Sequence, residues 1–420
     1  MHVKIDASPA RGMRDLLPAD VAVRDHVLDT IVTVYRRFGY QRIETPAVED
    51  IARLQGGQGG ENEKLIFQIL RRGLPEYAEP GTRIRDLVEL GLRFDLTVPL
   101  TRFYGSNHAS LPSLFRSLQV GPVWRAERPQ KGRYRQFWQC DIDMIGEPSV
   151  LAEAELIEAT TQALADVGLD GTTVRLSDRR FLAAVAASAQ LPEESWPGFF
   201  ITLDKLDKIG WDGVRAELDS MGLPHDRVIE TISGLQETTP AKLADTLADA
   251  VPALAEEVIA DLATTAACLD RLAADRSLTW EFDPSLVRGM GYYTGQIFEI
   301  THPQAGGSVA GGGRYDKLIG RSLGRDVPAC GFSIGFERIV DLLDAPRTRA
   351  ALAVLTEPGV AVPDALAVAR ELRAAGRTVE VVPRSGKFGA QLKRLEAAGF
   401  TAFIMVTPDG IRSTERPLQC

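Results

Sequence analysis

Apolar side chains recur at helical spacing in the first patterned stretch of the chain, residues 18–39. Val27, Ile31 and Phe38 fall on one helical face, because their separations of 4 and 7 residues match whole turns. Gly39 then supplies the residue type that most often ends a helix. The pattern predicts a helix over residues 18–39, followed by a strand over residues 40–46 that Pro46 ends.

Alternating apolar and polar residues predict strands further along the chain. Runs rich in aromatic and aliphatic side chains cover residues 93–99, 114–125 and 135–145. A helical pattern follows over residues 150–167. The glycine-rich run 56–60 has no period of either kind and is expected to be a loop.

The rest of the chain divides into three compositional stretches. Residues 181–276 are rich in Ala and Leu at helical spacing with prolines between the runs, which predicts a mostly helical insertion. Strand patterns and glycine clusters return over residues 286–337. From about residue 347, strands alternate with helices, which predicts a small α/β domain with a partly parallel sheet. Its strands are expected at 350–356, 378–382 and 401–406, and its helices at 363–375 and 388–398.

Length and composition fit a globular protein of two or three domains. The 420 residues carry 48 Lys and Arg against 57 Asp and Glu, a formal net charge of −9, and 45% are hydrophobic. These values exclude disordered chains, collagen-like chains and disulfide scaffolds. Since the overall balance is acidic, a nucleic-acid partner would require a local basic patch.

Cysteine spacing and hydropathy bear on the compartment. The four cysteines lie far apart, so none has the CxxC spacing of a metal or redox site. The N-terminus lacks the apolar stretch of a signal peptide, and no run of about 18 apolar residues exists to span a membrane. We expect a soluble protein of the reducing cytoplasm that has no membrane partner.

A basic segment lies between two predicted strands. Residues 125–135 contain five Lys and Arg against one acid, Glu127. Arginines on a rigid hairpin suit bidentate phosphate binding. The alternative is an ordinary solvated loop, but Arg125 and Arg135 lie within the strand-like arms, where an unpaired cation is costly.

Acidic and amide residues form a second candidate set. Asp95 and Thr97 lie close together, and Gln139, Asp141 and Asp143 alternate along one strand face. A face bearing carboxylates suits an ammonium or imidazole ligand, or a metal. On the pattern alone, a solvent-exposed strand face is the simpler interpretation.

Three glycine-rich segments follow, at residues 286–295, 311–316 and 331–338. None has the spacing of a dinucleotide-binding or Walker A loop. Each glycine cluster is compatible with a tight turn or with close approach of the backbone to a ligand.

Taken together and in this order, the segments resemble the histidyl-tRNA synthetases, a family of class II aminoacyl-tRNA synthetases. The first class motif resembles residues 21–46. The second resembles Arg125, Glu127 and Phe137, and the third resembles the Gly-rich run 331–335 followed by Glu337-Arg338.

Histidine-specific signatures of the family are similar to four further segments. They are residues 288–293 (Arg-Gly-Met-Gly-Tyr-Tyr), 312–316 (Gly-Gly-Arg-Tyr-Asp), 11–15 (Arg-Gly-Met-Arg-Asp) and 92–97 (Leu-Arg-Phe-Asp-Leu-Thr). The use of Asp95 together with residues 141–143 (Asp-Ile-Asp) resembles the eukaryote- and archaeon-like branch. The likeness covers about residues 8–406.

The resemblance implies an α+β fold: a class II antiparallel-sheet catalytic core with a helical insertion, and a C-terminal α/β anticodon-binding-like domain. The implied division places the catalytic core at residues 1–170 and 281–344. The mostly helical insertion takes residues 171–280, and a shortened anticodon-binding-like domain takes residues 345–420.

The implied activity is histidine–tRNA ligation: histidine and ATP give histidyl-adenylate and pyrophosphate, and the histidyl group then moves to tRNA-His. Arg125 and Arg288 would hold the α-phosphate as the catalytic residues, and Arg338 would hold the γ-phosphate. Phe137 and Arg338 would enclose the adenine, with Glu127 near its amino group. Mg²⁺ would neutralise the triphosphate.

Histidine binding and the tRNA acceptor end are implied to use other residues. The implied histidine-binding residues are Asp95, Thr97, Gln139, Asp143, Tyr292 and Tyr293. The first three would hold the α-amino group, and Asp143 with Tyr293 would bracket the imidazole nitrogens. Gln130 and Arg133 are candidates for contact with the tRNA acceptor end.

The family is homodimeric, so residues 21–46 are expected to meet their counterparts across a two-fold axis. Residues 345–420 carry 11 Lys and Arg against 7 Asp and Glu, a locally basic balance that fits contact with tRNA phosphates.

Two departures from the family pattern leave alternatives open. Gly291 stands where the family commonly has Asp or Asn, and the C-terminal domain is short. One alternative is a paralogue that activates an amino acid for a non-tRNA acceptor. Another is the non-catalytic, histidine-binding regulatory subunit of ATP phosphoribosyltransferase, which typically loses the catalytic arginines that this chain retains.

Overall fold

A computed structural model describes most of the chain as two compact units. One unit comprises Met1–Arg14 and Leu28–Leu343, and the other comprises Asp15–Val27 and Asp344–Cys420. The described residues are 6–56, 62–74, 81–129, 133–236, 238–288, 291–321, 323–343 and 351–418.

Fifteen α-helices lie in the described part of the chain. In chain order they are α1 (Pro18–Arg37), α2 (Ile51–Gln55), α3 (Ile84–Leu87), α4 (Thr97–Asn107), α5 (Leu151–Asp166), α6 (Arg179–Ser188), α7 (Trp196–Leu203), α8 (Leu206–Ser220), α9 (Asp226–Leu235), α10 (Leu243–Ala250), α11 (Glu256–Asp275), α12 (Asp316–Gly320), α13 (Phe336–Val340), α14 (Val362–Ala374) and α15 (Phe388–Ala397). None of these helices is long and apolar enough to cross a membrane.

The same described ranges contain fifteen strands. They are β1 (Gln41–Arg42), β2 (Val48–Asp50), β3 (Gln68–Leu70), β4 (Val88–Leu92), β5 (Phe115–Trp124), β6 (Gln136–Ile145), β7 (Thr172–Asp178), β8 (Leu278–Phe282), β9 (Gln296–Thr301), β10 (Ser308–Arg314), β11 (Ala329–Gly335), β12 (Ala351–Thr356), β13 (Thr378–Pro383), β14 (Phe400–Val406) and β15 (Arg416–Pro417).

An eight-stranded sheet organises the first unit, with the order β1-β5-β6-β11-β10-β9-β7-β8. Its inner pairs are antiparallel, and only the terminal pairs β1–β5 and β7–β8 are parallel. A three-stranded antiparallel sheet, β2-β4-β3, lies in the same unit. This architecture confirms the predicted α+β fold with an antiparallel-sheet core.

Most of the elements predicted before residue 170 are confirmed. Helix α1, strands β5 and β6, and helix α5 form within two residues of the predicted bounds. The strand expected over residues 40–46 is reduced to the two residues of β1. The predicted loop over residues 56–60 lies, apart from Gly56, outside the described residues.

The strand predicted over residues 93–99 is wrong. Strand β4 ends at Leu92 and helix α4 begins at Thr97. The Oδ1 atom of Asp95 accepts a hydrogen bond from the backbone N–H of Val98 at 3.0 Å, which satisfies one of the free donors in the first turn of α4. Pro99 is compatible with that turn because it lacks an N–H.

The predicted helical insertion consists of helices α6 to α11, which run from Arg179 to Asp275. Strands β7 and β8 flank these helices in sequence and pair with each other at one end of the main sheet. The helices therefore leave the sheet from β7 and return to it at β8.

The second unit has a four-stranded sheet with the order β13-β12-β14-β15. Strand β12 is central and pairs in parallel with β13 and β14, while β15 is antiparallel. Alternate residues of β12 enter two apolar clusters: Leu352 and Val354 pack in one, and Ala351, Ala353 and Leu355 pack in the other. Both faces of the sheet are thus covered, as predicted for a partly parallel α/β domain.

Candidate active site

A cavity of about 800 Å³ lies in the first unit. Twelve of the thirteen residues that the sequence predicts for the site line it: Asp95, Thr97, Arg125, Glu127, Arg133, Phe137, Gln139, Asp143, Arg288, Tyr292, Tyr293 and Arg338. The thirteenth, Gln130, lies outside the described residues. The structure therefore brings together side chains that are as much as 243 residues apart in sequence, as Asp95 and Arg338 are.

The polar face of β6 is buried, which corrects the interpretation of an exposed face. Asp141 and Asp143 are each 3% exposed and Gln139 is 8% exposed. The opposite face of the same strand carries apolar side chains such as Ile142 and Met144, which are fully buried. Period-two alternation thus separates an apolar face from a polar face that lines the cavity.

Three buried acceptor atoms on this side of the cavity have no hydrogen-bond partner among the described residues. They are Asp95 Oδ2, Gln139 Oε1 and Asp141 Oδ1. Gln139 is itself oriented, because its Nε2 donates to Ser333 Oγ at 2.8 Å. A buried acceptor without a donor is costly, so this group suits a ligand with several N–H donors, such as an alkylammonium.

Asp143 occupies a tightly defined position beside these acceptors. Tyr315 donates its hydroxyl to Asp143 Oδ1, and Ser117 Oγ donates to Oδ2 at 3.5 Å. A Cβ at residue 331 would overlap Asp143 Oδ1, so Gly331 provides the space for this carboxylate. The side chain is therefore fixed from two sides by hydrogen bonds and by close contact with the backbone.

Burial controls the ionisation of the carboxylates. It raises the pKa of Asp143 to about 7, although the hydrogen bonds from Tyr315 and Ser117 oppose the shift. It raises the pKa of Asp95 to about 6, against the opposing hydrogen bond from Val98. Burial, followed by the neighbouring Asp143, raises the pKa of Asp141 well above its usual range. A cationic ligand would favour the charged forms of all three groups.

Five arginines line the cavity: Arg125, Arg133, Arg175, Arg288 and Arg338. The Nε of Arg125 donates to the carbonyl oxygen of Phe94 at 3.1 Å, and its guanidinium lies 5.1 Å from the ring centre of Phe137. Arg338 donates to the carbonyl oxygen of Ser308. Burial, followed by the nearby Arg133, lowers the pKa of Arg338. A cluster of this kind suits an anion such as a polyphosphate.

Arg288 is held in an unusual backbone conformation. Its φ is +57°, which is uncommon for a residue other than glycine. Its Nη1 donates to Glu299 Oε2 at 3.1 Å. Its Nε is buried and has no partner among the described residues. The side chain therefore retains a donor for a ligand.

Glu127 and Arg133 form an ion pair across the loop, with Nη1 and Oε2 3.4 Å apart. The family resemblance implies that these residues contact different parts of the substrates, whereas in this structure they contact each other.

Several cavity residues were not predicted. Tyr315 lies within the histidine-specific segment 312–316, and Asp141 lies within the alternation on β6, so the sequence pattern pointed to both. Asp204 lies between α7 and α8, and Asp207 and Lys208 lie in the first turn of α8. No sequence pattern pointed to these three residues, because their contact with the cavity depends on how the helical insertion folds.

An antiparallel sheet with a cavity that is lined by buried carboxylate and amide acceptors and by several arginines is the architecture of a class II aminoacyl-tRNA synthetase. A family profile described as histidyl-tRNA synthetase matches residues 12–339. The chain belongs to the histidyl-tRNA synthetase family, and is accordingly an aminoacyl-tRNA ligase that acts on histidine and tRNA-His with ATP as a substrate.

Individual relatives agree with this assignment. The chain is 48% identical over 418 residues to the histidine–tRNA ligase of Leifsonia xyli subsp. xyli, covering 96% of each chain. It is 40% identical over 339 residues to that of Aeropyrum pernix, covering 79% of this chain and 73% of the relative. A solved histidyl-tRNA synthetase from Nostoc sp. PCC 7120 superposes with a TM-score of 0.79 at 26% identity, covering 99% of this chain and 97% of that one.

Proposed function

We propose that this cavity carries out both steps of histidine–tRNA ligation. L-Histidine and ATP react there to give histidyl-adenylate and pyrophosphate, and the histidyl group then passes to the 3′ end of tRNA-His. The observation that carries the proposal is the single cavity that is lined both by the buried acceptors and by the arginines. The ammonium group of an amino acid and a triphosphate carry charges complementary to these two sets of side chains.

The α-ammonium group of histidine binds Asp95, Thr97 and Gln139. The unpartnered Asp95 Oδ2 and Gln139 Oε1 atoms support this role, because an ammonium group has donors for both. Asp141 Oδ1 adds a third acceptor that the motifs did not assign. Burial of the three oxygens disfavours an empty site and therefore favours a cationic ligand.

The imidazole ring lies between Asp143 and Tyr293, beside Tyr292. The rings of Tyr292 and Tyr293 are 4.8 Å apart and packed edge to face, which gives this wall a defined shape. A site that hydrogen-bonds both ring nitrogens rejects amino acids that lack them, because buried polar groups are then left unpaired.

Arg125 and Arg288 hold the α-phosphate and act as catalytic residues. Negative charge builds on that phosphate as the histidine carboxylate attacks in line and pyrophosphate leaves, so fixed cations lower the barrier. The carboxylate is already an anion, and the first step therefore requires no general base. Arg338 holds the γ-phosphate.

The adenine ring lies between Phe137 and the Arg338 guanidinium, and its amino group faces Glu127. Arg125 contacts Phe137, so the same arginine borders both the adenine and the α-phosphate. Opening of the ion pair between Glu127 and Arg133 then frees Arg133 for the tRNA acceptor end. Gln130 is a second candidate for that contact.

Mg²⁺ is proposed to enter with ATP. Among the described residues, no group of three or more His, Cys, Asp or Glu side chains could hold a metal ion. Mg²⁺ is commonly bound by substrate phosphates and waters with few protein ligands. The ion would neutralise charge on the triphosphate, and the arginines of the cavity would neutralise part of the same charge.

The domain division and the dimer are proposals of the same kind. Residues 1–170 and 281–344 form the catalytic core, residues 171–280 the insertion, and residues 345–420 an anticodon-binding-like domain.

Residues 21–46 meet across a two-fold axis in a homodimer. Strand β1, which lies at the outer end of the main sheet, supports this arrangement, because its other edge has no strand partner in the described part of the chain. Light scattering of the purified protein tests for a dimer.

The histidine pocket is proposed to be of the eukaryote- and archaeon-like form, which combines Asp95 with Asp141 and Asp143. The proposal rests on these three carboxylates, because the relatives include both the bacterial Leifsonia xyli protein at 48% identity and the archaeal Aeropyrum pernix protein at 40%. Structures of both proteins with histidine bound would test whether equivalent carboxylates contact the ligand.

The deciding experiment is histidine-dependent ATP–pyrophosphate exchange, followed by charging of tRNA-His. Arg288→Ala should abolish exchange, and Arg271→Ala, on the exposed face of α11, should leave it unchanged. No exchange by the wild type would contradict the proposal and favour a non-catalytic histidine-binding subunit. Exchange without charging of tRNA-His would instead favour an acceptor other than tRNA.

A further inference from the structure

Seven residues form one row across the main sheet, in register on neighbouring strands. They are Glu281, Arg175, Glu299, Gly311, Ser333, Asp141 and Gln119, on β8, β7, β9, β10, β11, β6 and β5. Side chains in such a row share one face of the sheet. Six of them are polar or charged, and Gly311 leaves a gap between Glu299 and Ser333.

The Arg288 guanidinium fills this gap. A Cβ at residue 311 would overlap the guanidinium carbon and nitrogens of Arg288. The guanidinium therefore lies directly against the β10 backbone. Arg288 belongs to a segment outside the sheet, and its position depends on contacts that hold it there.

Glu299 is the neighbour of Gly311 on β9 and forms the ion pair with Arg288 at 3.1 Å. Both partners are largely buried, with 15% of the Glu299 side chain and 23% of the Arg288 side chain exposed. A buried charge-assisted hydrogen bond is stronger and more directional than an exposed one.

Arg175 lies on the other side of Glu299 in the row and is itself anchored by carboxylates. It pairs with Asp207 at 3.1 Å, with Glu281 at 3.5 Å and with Asp283. Asp283 also accepts hydrogen bonds from the backbone N–H and the hydroxyl of Ser285, at 2.9 and 2.6 Å, near the start of the segment that leads to Arg288. Glu299 thus lies between two cations, Arg175 on β7 and Arg288 over the β10 backbone.

We propose that Glu299 is a positioning residue that holds the Arg288 guanidinium over the Gly311 backbone, oriented toward the α-phosphate. This inference rests on the proposed role of Arg288. Glu299 contacts no reacting atom in this scheme, and it acts only through the arginine.

Glu299→Gln removes the charge while keeping a similar shape. In histidine-dependent exchange we expect kcat to fall about 10- to 100-fold, because misplacement of a catalytic group by about 1 Å costs a factor of that order. The KM values for histidine and ATP should change by less than about threefold, because charge on the α-phosphate builds mainly in the transition state. Glu299→Asp keeps the charge and should recover part of the rate.

Glu281→Gln is the matched control. Glu281 also pairs with Arg175, but it lies on β8, on the far side of β7 from Glu299. It should retain wild-type kcat and KM. Equal losses in the two variants, or a raised KM with unchanged kcat in Glu299→Gln, would contradict a positioning role.

A crystal structure of Glu299→Gln gives a readout that does not depend on activity. The Arg288 guanidinium should move away from the Gly311 backbone, and Gly311→Ala should displace it as well. An unmoved guanidinium in Glu299→Gln would overturn the inference even if the enzyme is active. If Arg288→Ala instead retains exchange, the proposed catalytic role fails, and the structure still decides whether Glu299 positions the arginine.

Discussion

The guanidinium of Arg14 stacks on the ring of Tyr134, 4.0 Å from its centre. The same side chain donates to the Tyr134 hydroxyl at 3.0 Å and pairs with Glu337 at 3.4 Å. Glu337 in turn accepts a hydrogen bond from the backbone N–H of Trp138 at 3.0 Å. Tyr134 and Glu337 both line the cavity. Arg14 therefore joins the loop before β6 to helix α13, the two segments that border the proposed ATP site.

Arg14→Ala should raise the KM for ATP about tenfold, with a smaller change in the KM for histidine. The substitution removes a stacking contact and a partly buried ion pair, together worth about 1–2 kcal/mol. The segments that carry Phe137 and Arg338 would then be less firmly held. Exchange kinetics at varied ATP and varied histidine measure the two constants.

Arg11→Ala is the control for Arg14, because Arg11 is exposed on the same short segment. It should behave as the wild type. Arg14→Lys keeps the charge but not the planar guanidinium, and it should lie between the wild type and Arg14→Ala. Equal effects of Arg14→Ala on both substrates would show that the contact stabilises the whole site rather than its ATP side.

Gly331→Ala should raise the KM for histidine by about 100-fold. The added methyl group would overlap the Asp143 carboxylate, which must move away from its hydrogen bond with Tyr315. A substrate interaction of about 2–3 kcal/mol would then be lost, as for a charge-assisted hydrogen bond. Isothermal titration with histidine measures the affinity directly.

Gly234→Ala serves as the control for steric change. It lies in α9, with nothing within 4 Å of the position of a Cβ. It should bind histidine normally and, as a helix position, unfold at slightly higher denaturant concentration. Unchanged histidine affinity in Gly331→Ala would contradict the proposed place of Asp143 in the pocket.

The raised pKa of Asp143 makes the unliganded protein less stable as pH rises. The unfolded carboxyl has a pKa near its ordinary value of about 3.9, whereas the folded one has a pKa of about 7. Between these values the folded state binds the extra proton, so stability falls as pH rises from about 4 to about 7 and then levels off. Asp143→Asn removes this contribution.

Asp143→Asn should therefore raise the free energy of unfolding by about 1–3 kcal/mol at pH 8, and by less at pH 5, where the wild-type carboxyl is already largely protonated. Urea unfolding at both pH values measures the difference. Asp86→Asn, at a half-exposed position, is the control for loss of a carboxylate elsewhere in the chain. An equal gain at pH 5 and pH 8 would show that ionisation of Asp143 is not its cause.

The alternation in β6 illustrates what could be predicted from sequence. Period two placed Gln139, Asp141 and Asp143 on one face, and this is confirmed. It could not show that the face is buried, because burial depends on distant parts of the chain such as Tyr315, whose hydroxyl donates to Asp143. The family motifs, in contrast, predicted which residues line the cavity, but they did not predict which of these residues contact each other.

The segment around Asp95 shows where the sequence pattern led to a wrong prediction. A run of apolar residues around Asp95 suggested a strand, but its carboxylate instead binds the first turn of α4. A second local pattern, the polar residue Asp95 shortly before Pro99, favours the start of a helix over a strand. The pairing of Arg288 with Glu299 had no local signal, since it depends on the register of β9 and β10.

Arg314 lies in a histidine-specific motif, yet its contacts are structural. Its guanidinium donates to both carboxylate oxygens of Glu153 at 2.6 Å, to the carbonyl oxygen of Ser149 at 2.8 Å and to that of Glu147 at 3.1 Å. It therefore ties β10 to the start of α5. Burial raises the pKa of Glu153, and Arg314 opposes that shift.

Arg314→Ala should lower the free energy of unfolding by about 3–5 kcal/mol, because it leaves the buried Glu153 carboxylate unpaired. Urea unfolding at pH 8 measures this loss. The double variant Arg314→Met with Glu153→Leu should recover most of the stability, since an apolar pair avoids the desolvation of both charges. Arg412→Ala, which breaks a more exposed pair with Glu371, should cost less than about 1 kcal/mol. A small loss in Arg314→Ala, similar to that in Arg412→Ala, would show that Glu153 finds water or another donor when Arg314 is removed.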